Sequence, residues 1–283
     1  MKKTISFIRL LRPVNCLMMG FAVIVGASLI DTVSFADFSL NLLLGFITAF
    51  TLTGASMAVN DYYDREVDMI NEPSRPIPSG IIKPKESLIF AAVLTAIGLV
   101  AAFFTNLFCL MIAAASWVVS ITYVTKGKRT GLPGNFLVSA CVAIPLVYGS
   151  FVIRQDLALN TMVYASLAFL ASTGREVTKG IVDIEGDKTK KIGTIAISYG
   201  TKNAAYMASA FFLSAVCLSF LPLWLGLVSN WFIPFVVVAD VGFVSSSVML
   251  MRKHSRENAK KIKNQVLVWM LMGLIAFIAG TIK

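Results

Sequence analysis

Runs of apolar residues divide this chain into segments long enough to cross a membrane, separated by mostly short polar stretches. A membrane-spanning helix needs about 20 mainly apolar residues. We predict nine transmembrane helices, near residues 14–30, 38–60, 87–105, 108–125, 134–153, 157–178, 202–222, 231–251 and 264–282. Two polar connections are longer, 61–86 and 182–201, and each begins with a cluster of aspartates. The pattern predicts an all-α integral membrane bundle with two Asp-rich cytoplasmic loops.

Composition and charge placement support this topology. Of the 283 residues, 57% are hydrophobic and 14% are charged, against about 25% charged in soluble domains. With a cytoplasmic N-terminus, alternating spans leave every Lys and Arg inside except Arg154 and Lys283, as the positive-inside rule requires. Topology and anionic lipid headgroups then explain the net charge of +10 without nucleic acid as a partner. We expect one polytopic domain over 1–283 in the cell membrane; the sequence is silent on oligomeric state.

The aspartate clusters carry the chemistry that the sequence suggests. In a helix, Asp61, Asp64 and Asp68 fall at i, i+3 and i+7, within roughly 60° on one face. Asp183 and Asp187 form an i, i+4 pair, which also shares a face. Like charges at these spacings repel, and a hard divalent cation offsets them, because Mg²⁺ takes one or two carboxylates together with phosphate oxygens. The pattern indicates metal-assisted handling of a phosphorylated, membrane-soluble substrate.

Other metal chemistry is not expected. The four cysteines lie in apolar segments without paired spacing, and the single histidine, His254, lies in a basic loop.

Asp240 lies near the middle of the predicted span 231–251. An ionisable residue at that depth is either functional or hydrogen-bonded to a Ser, Thr or backbone group, and the sequence leaves both open.

A resemblance to a known family rests on two motifs, Asn60-Asp61-Tyr62-Tyr63-Asp64-Arg65-Glu66-Val67-Asp68 and Asp183-Ile184-Glu185-Gly186-Asp187. Together they resemble the paired signature of the UbiA superfamily of intramembrane prenyltransferases. The segment 75–80 resembles the family's first-loop sequence. Within the superfamily, segments 11–16 and 174–187 look most like archaeal digeranylgeranylglyceryl phosphate synthases. The resemblance covers essentially the whole chain.

The resemblance implies a Mg²⁺-dependent transfer of a geranylgeranyl group from its diphosphate to the free hydroxyl of geranylgeranylglyceryl phosphate. This reaction forms the second ether bond of archaeal membrane lipids and releases diphosphate. An aromatic acceptor, as in quinone or chlorophyll pathways, is the alternative. A cation-coupled transporter is a weaker one, because transporter sites lie near the midplane, whereas both motifs lie at cytoplasmic helix ends.

The resemblance also implies roles for individual residues. The catalytic carboxylates would be Asp61, Asp64, Asp68, Asp183 and Asp187. The Mg²⁺ ligands would be Asn60, Asp64, Asp68, Asp183 and Asp187. The diphosphate would contact Arg65, Lys126, Arg12 and Tyr123. The phosphate of the acceptor suits cationic side chains, arginine forks above all, and the candidates are Arg75, Arg175 and Lys179. We interpret Lys128 and Arg129 as ordinary positive-inside charges.

Overall fold

The structure, a computed structural model, describes residues 2–30, 39–154, 156–189 and 192–282. In these ranges the regular secondary structure is entirely helical. In chain order α1 to α12 are Lys2–Leu11, Pro13–Ser28, Ser39–Asn71, Pro84–Thr105, Leu107–Thr125, Leu132–Ile153, Leu159–Val182, Ile184–Thr189, Ile195–Leu218, Leu221–Trp224, Phe232–Arg252 and Arg256–Thr281. A 3₁₀ helix, Gly127–Thr130, follows α5. The predicted cytoplasmic charges Lys190 and Lys191, and the predicted external Lys283, lie outside the described residues.

The all-helical membrane class is confirmed, but the count of nine spans and the two Asp-rich loops are not. The first motif lies within α3, because that helix continues to Asn71, and Asp187 lies within α8. In the described ranges, seven helical segments are long and apolar enough to cross a membrane, and an eighth results if α1 and α2 form one bent span. The helix α7 occupies the predicted span 157–178 yet is not among the seven. Its last turns carry Arg175, Glu176 and Lys179, which lower its mean hydropathy.

A bend of 44° separates α1 from α2 at Arg12. Pro13 begins α2, and proline disfavours helical backbone in the residue before it. Arg12 adopts a left-handed conformation with φ 54°, which is uncommon for any residue other than glycine. The bend places the Arg12 guanidinium beside the end of α3, where it contacts the first aspartate motif.

The helices α2 and α6 pack closely against each other. Backbone atoms of Leu146 and Val23 stand where side chains at Gly26 and Gly149 would begin. Because glycine has no Cβ, the two backbones approach more closely than larger residues would allow.

The 33-residue α3 carries the first motif in its last turns, and α7 ends at the second motif. The short α8 packs back against α3.

Candidate active site

The three aspartates of the first motif share one buried face of α3, as their spacing predicts. Asp61, Asp64 and Asp68 are only 2%, 6% and 4% exposed. A buried carboxylate is costly unless a cation or several hydrogen-bond donors accompany it. The neighbours of these three side chains therefore decide what the site can do.

Two arginines from outside α3 pair with the first and last of these carboxylates. Arg12 Nη2 lies 2.5 Å from Asp61 Oδ1. Arg75 Nη1 lies 2.6 Å from Asp68 Oδ2 and 3.7 Å from Asp61 Oδ1. Burial opposes the charge on Arg75, but Asp68 and Asp61 raise the pKa of its guanidinium above the ordinary value. Arg75 is thus a fixed cation that bridges two turns of α3.

The middle carboxylate has a different cation. Asn60 Nδ2 donates to Asp64 Oδ2 over 2.9 Å, and the Lys128 ammonium forms an ion pair with the same oxygen. Lys128 lies in the 3₁₀ helix after α5, and its side chain is largely buried. The interpretation of Lys128 as an ordinary positive-inside charge is therefore incomplete, because the structure places its side chain at the first motif. Arg129, by contrast, is exposed.

The second motif spans the turn between α7 and α8. Asp183 caps the end of α7, and the Asp187 backbone N–H donates to its carbonyl over 2.9 Å. Asp187 is buried, and burial raises the pKa of its carboxyl to about 6, with Lys128 opposing the shift and Asp183 adding to it. Lys128 lowers the pKa of Asp187 and Asp64 raises it. The two motifs therefore interact electrostatically and form one site.

One amide ties the two motifs together. Asn71, the last residue of α3, accepts a hydrogen bond from the Gly186 backbone N–H at 3.2 Å. Its Nδ2 donates to the Asp183 carbonyl at 3.4 Å. The Asn71 side chain also fills the space that a Cβ at Gly186 would need. The turn between Asp183 and Asp187 is therefore fixed against α3 through its backbone.

A cavity of about 250 Å³ opens beside the motifs and extends into the bundle. One end is polar and mostly cationic, and is lined by Arg12, Asn60, Arg75, Tyr123, Arg175, Glu176, Lys179 and Lys263. The other end is mostly apolar, and includes Leu52, Trp117, Ile144, Pro145 and Leu267. We call it the substrate cavity. Its shape and chemistry suit a molecule with an anionic head and a hydrocarbon tail.

Comparison with known proteins identifies the family. The model of the UbiA prenyltransferase family matches residues 18–278 of this chain. The chain belongs to the UbiA prenyltransferase family. The predicted resemblance is thereby confirmed, and with it the class of enzyme, a prenyltransferase.

Full-length relatives and solved UbiA structures agree with this assignment. A digeranylgeranylglyceryl phosphate synthase of Methanosarcina mazei is 35% identical over 285 residues, covering 97% of this chain and 98% of that protein. A solved structure described as a study of digeranylgeranylglyceryl phosphate synthase in membranes has a TM-score of 0.74 at 30% identity, covering 100% of this chain and 99% of that one. A UbiA homologue from Archaeoglobus fulgidus, solved with GPP and Mg²⁺, shares the fold with a TM-score of 0.64 at 16% identity, over 96% and 99% of the two chains.

Not all of the predicted diphosphate contacts reach the substrate cavity of this UbiA protein. Arg12 and Tyr123 line it. Arg65 instead donates to the Tyr62 carbonyl at 2.8 Å, and its guanidinium lies 4.8 Å from the centre of the Tyr62 ring. Lys126 is exposed and is absent from the cavity wall. The three predicted phosphate contacts, Arg75, Arg175 and Lys179, all line the polar end.

The structure adds Lys263, which the charge distribution alone counts simply as one of the cytoplasmic lysines. Lys263 lines the polar end from the start of α12, and its backbone carbonyl accepts from Arg175 Nε at 3.3 Å. The sequence signal for Lys263 is its spacing, because Lys263, Leu267 and Met270 fall at i, i+4 and i+7 and so share one face of a helix. In the structure all three line the cavity. Glu176 pairs with Arg175 at 3.3 Å and with Lys179 at 3.4 Å. The polar end of the cavity thus carries a clear excess of positive charge.

The residues present fit Mg²⁺ as a shared ligand of protein and substrate. Among the residues that the structure describes, no three His, Cys, Asp or Glu side chains form a ready-made metal cluster. Mg²⁺ does not require one, because it is usually bound by one or two carboxylates and completes its shell with phosphate oxygens and water. Asp64 with the amide of Asn60, and Asp183 with Asp187, supply such hard oxygen donors.

Proposed function

We propose that this UbiA protein transfers a geranylgeranyl group from geranylgeranyl diphosphate to the free hydroxyl of geranylgeranylglyceryl phosphate. The bond between C1 of the donor and its diphosphate oxygen breaks, and a bond from C1 to the acceptor oxygen forms. The proton of the hydroxyl is released together with the leaving group, so the products are diphosphate, one proton and a lipid with a second ether bond. The full-length relatives named digeranylgeranylglyceryl phosphate synthase support this choice of acceptor.

The observation that carries the proposal is the substrate cavity, which joins a cationic end to an apolar one. Both substrates have an anionic head and an isoprenoid chain, so both match this polarity. Arg12 and Arg75 line the cavity beside the first motif, and we assign them to the diphosphate side. Arg175, Lys179 and Lys263 line it from α7 and α12, and we assign them to the acceptor phosphate.

Mg²⁺ would be held by Asn60, Asp64, Asp68, Asp183 and Asp187. When bound, it supplies positive charge that stabilises the departing diphosphate. The protein's own cations act in the same direction. Arg12, Arg75 and Lys128 already stand against the carboxylates, so they offset the negative charge of the motifs and orient the anionic head of the donor.

The topology belongs to the same proposal. We propose nine spans, with α7 as a span whose polar end is covered by its neighbours in the bundle. The N-terminus and both aspartate motifs would face the cytoplasm, as the distribution of Lys and Arg favours. The whole chain would act as one catalytic domain.

A product assay on the purified protein in detergent tests the proposal. Labelled geranylgeranyl diphosphate is supplied with either geranylgeranylglyceryl phosphate or 4-hydroxybenzoate, with Mg²⁺ or with EDTA, and Asp64→Asn serves as the inactive control. We expect metal-dependent label in the glycerol lipid that disappears in the variant. We also expect Arg175→Gln to raise KM for the lipid acceptor. Label in the aromatic product alone would refute the lipid acceptor while keeping prenyl transfer.

A further inference from the structure

A second, smaller cavity lies deeper in the bundle, with a volume of about 70 Å³. We call it the inner chamber. Its walls come from α2, α6, α7, α9, α11 and α12, and most of its lining side chains are aliphatic, aromatic or methionine. The polar exceptions are Ser219 and Asp240, which bond to each other, with Ser219 Oγ donating to Asp240 Oδ2 at 2.8 Å. The chamber therefore presents no cation that would bind a phosphate.

The inner chamber and the substrate cavity have a wall in common. Met18, Met19, Val142 and Met270 line both spaces. Methionine is unbranched and has three rotatable bonds, so it adapts its shape to what lies beside it. A chain that fills the apolar end of the substrate cavity would meet this wall, and its methionine side chains are of the kind that can rotate aside.

Gly273 on α12 is the feature that leaves room in the chamber. It lines the chamber together with Trp269, Met270 and Phe277, which lie one turn before or after it on the same face of the helix, and with the next residue, Leu274. A Cβ built at Gly273 would meet no heavy atom within 4 Å. Packing therefore does not require glycine here, and glycine in a helix interior costs about 0.5–1 kcal/mol relative to alanine. An open space beside an unneeded glycine points to an occupant.

We propose that the inner chamber receives the far end of an isoprenoid chain and that Gly273 sets the longest chain the enzyme accepts. The inference rests on the proposed function, because it takes the chain from one of the two prenyl substrates. Donor and acceptor carry the same hydrocarbon chemistry, so either chain fits the apolar lining. Asp240 lies at the wall as the hydrogen-bonded partner of Ser219 and takes no part in the transfer.

The test is the chain-length preference of Gly273→Leu. For the donor series, kcat/KM is measured with geranyl, farnesyl and geranylgeranyl diphosphates at a fixed acceptor. For the acceptor series, the chain on the glycerol phosphate is varied at a fixed geranyl donor. We expect the variant to lose about tenfold or more in kcat/KM for the geranylgeranyl chain of one substrate, and to retain the shorter chains. Gly273→Ala, which adds a single methyl group, should lose less kcat/KM for that chain than Gly273→Leu and more than the unmodified protein.

A matched control adds bulk to the same helix away from the chamber. Val268 lies on α12, is 51% exposed and lines neither cavity. Val268→Phe should leave the chain-length preference as in the unmodified protein. Elution volume and melting temperature in detergent show that each variant is folded. Preference lost in the donor series assigns the chamber to the donor chain, and loss in the acceptor series assigns it to the acceptor.

Two results separate the inference from the proposed function. If the unmodified protein transfers no prenyl group from any donor to a glycerol lipid, the proposed function fails. If that protein is active but Gly273→Leu has unchanged preference, or loses all chain lengths equally, the chamber does not hold a chain end and the inference is overturned.

Discussion

The two aspartate motifs lie side by side but are held in different ways. The carboxylates of the first motif are paired with side chains from outside α3, namely Arg12, Arg75 and Lys128. The second motif is held through its backbone, at two points, by the single amide of Asn71. The first motif therefore depends on charge balance and the second on position, so substitutions should affect the two in different measurements.

The largest effect is expected from Arg75→Gln, which removes the cation shared by Asp61 and Asp68. Breaking a buried ion pair leaves a carboxylate uncompensated and costs about 3 kcal/mol of stability. We expect a lower melting temperature in detergent and a loss in kcat/KM of about a hundredfold, because the same guanidinium lines the substrate cavity.

The control is Arg65→Gln, whose guanidinium packs on Tyr62 outside the cavity. It should change both quantities little. The double variant Arg75→Gln with Asp68→Asn should recover part of the melting temperature, because the uncompensated charge at Asp68 is gone. A double variant less stable than Arg75→Gln alone would show that the pair does not balance charge.

The second effect tests the backbone tether. Asn71→Ala removes both hydrogen bonds to the turn of the second motif, so we expect the Mg²⁺ concentration for half-maximal activity to rise about tenfold or more. Asn71→Asp keeps the acceptor for the Gly186 N–H but loses the donor to Asp183, and should fall between. The neighbouring Glu72→Gln is the control, since Glu72 pairs with Lys260 at 3.1 Å instead. An unchanged Mg²⁺ requirement in Asn71→Ala would remove the tether from the account.

A third, smaller effect distinguishes two adjacent cations. Lys128 pairs with Asp64, whereas Arg129 is exposed. Loss of a charge-assisted hydrogen bond costs about 1.5–3 kcal/mol, so Lys128→Met should lower kcat/KM by about tenfold. Arg129→Met should leave kcat/KM nearly unchanged. A kcat/KM nearly unchanged in both variants would support the interpretation of both residues as ordinary positive-inside charges.

The smallest effect concerns pH and the surface pair of Glu72 and Lys260. Burial acts to raise the pKa of Glu72, but the hydrogen bond and charge of Lys260 outweigh it and lower that pKa below 4.5. A lowered carboxyl pKa contributes stability above the unfolded value, and this stability is lost as the pH falls through the folded value. Between pH 7 and pH 3, Glu72→Gln should therefore flatten the fall in melting temperature slightly. The pair is partly exposed, so we expect a few tenths of a kcal/mol.

The sequence predicted the local parts of the site because helical periodicity is a local property. The spacing of Asp61, Asp64 and Asp68 was enough to place them on one face of α3, and the structure buries that face. It did not separate Arg12, which lines the cavity, from Arg65, which packs on Tyr62. The two differ by the left-handed turn before Pro13, which brings Arg12 to Asp61. Residue type and membrane side are the same for both.

By itself, the sequence determined the helical membrane class through the length of its apolar runs, and the shared faces of the motif carboxylates through their spacing within one segment. The family followed from the resemblance of the two motifs, taken together, to a known signature. Only the tertiary structure decided which partners those carboxylates have. Lys128, Asn71 and Lys263 reach the site from three elements far apart in the chain. The open space at Gly273 depends on six helices packing around it. Such features arise from contacts between helices. The membrane-spanning helices are all apolar because they all cross the bilayer, so their sequences do not show which of them pack together.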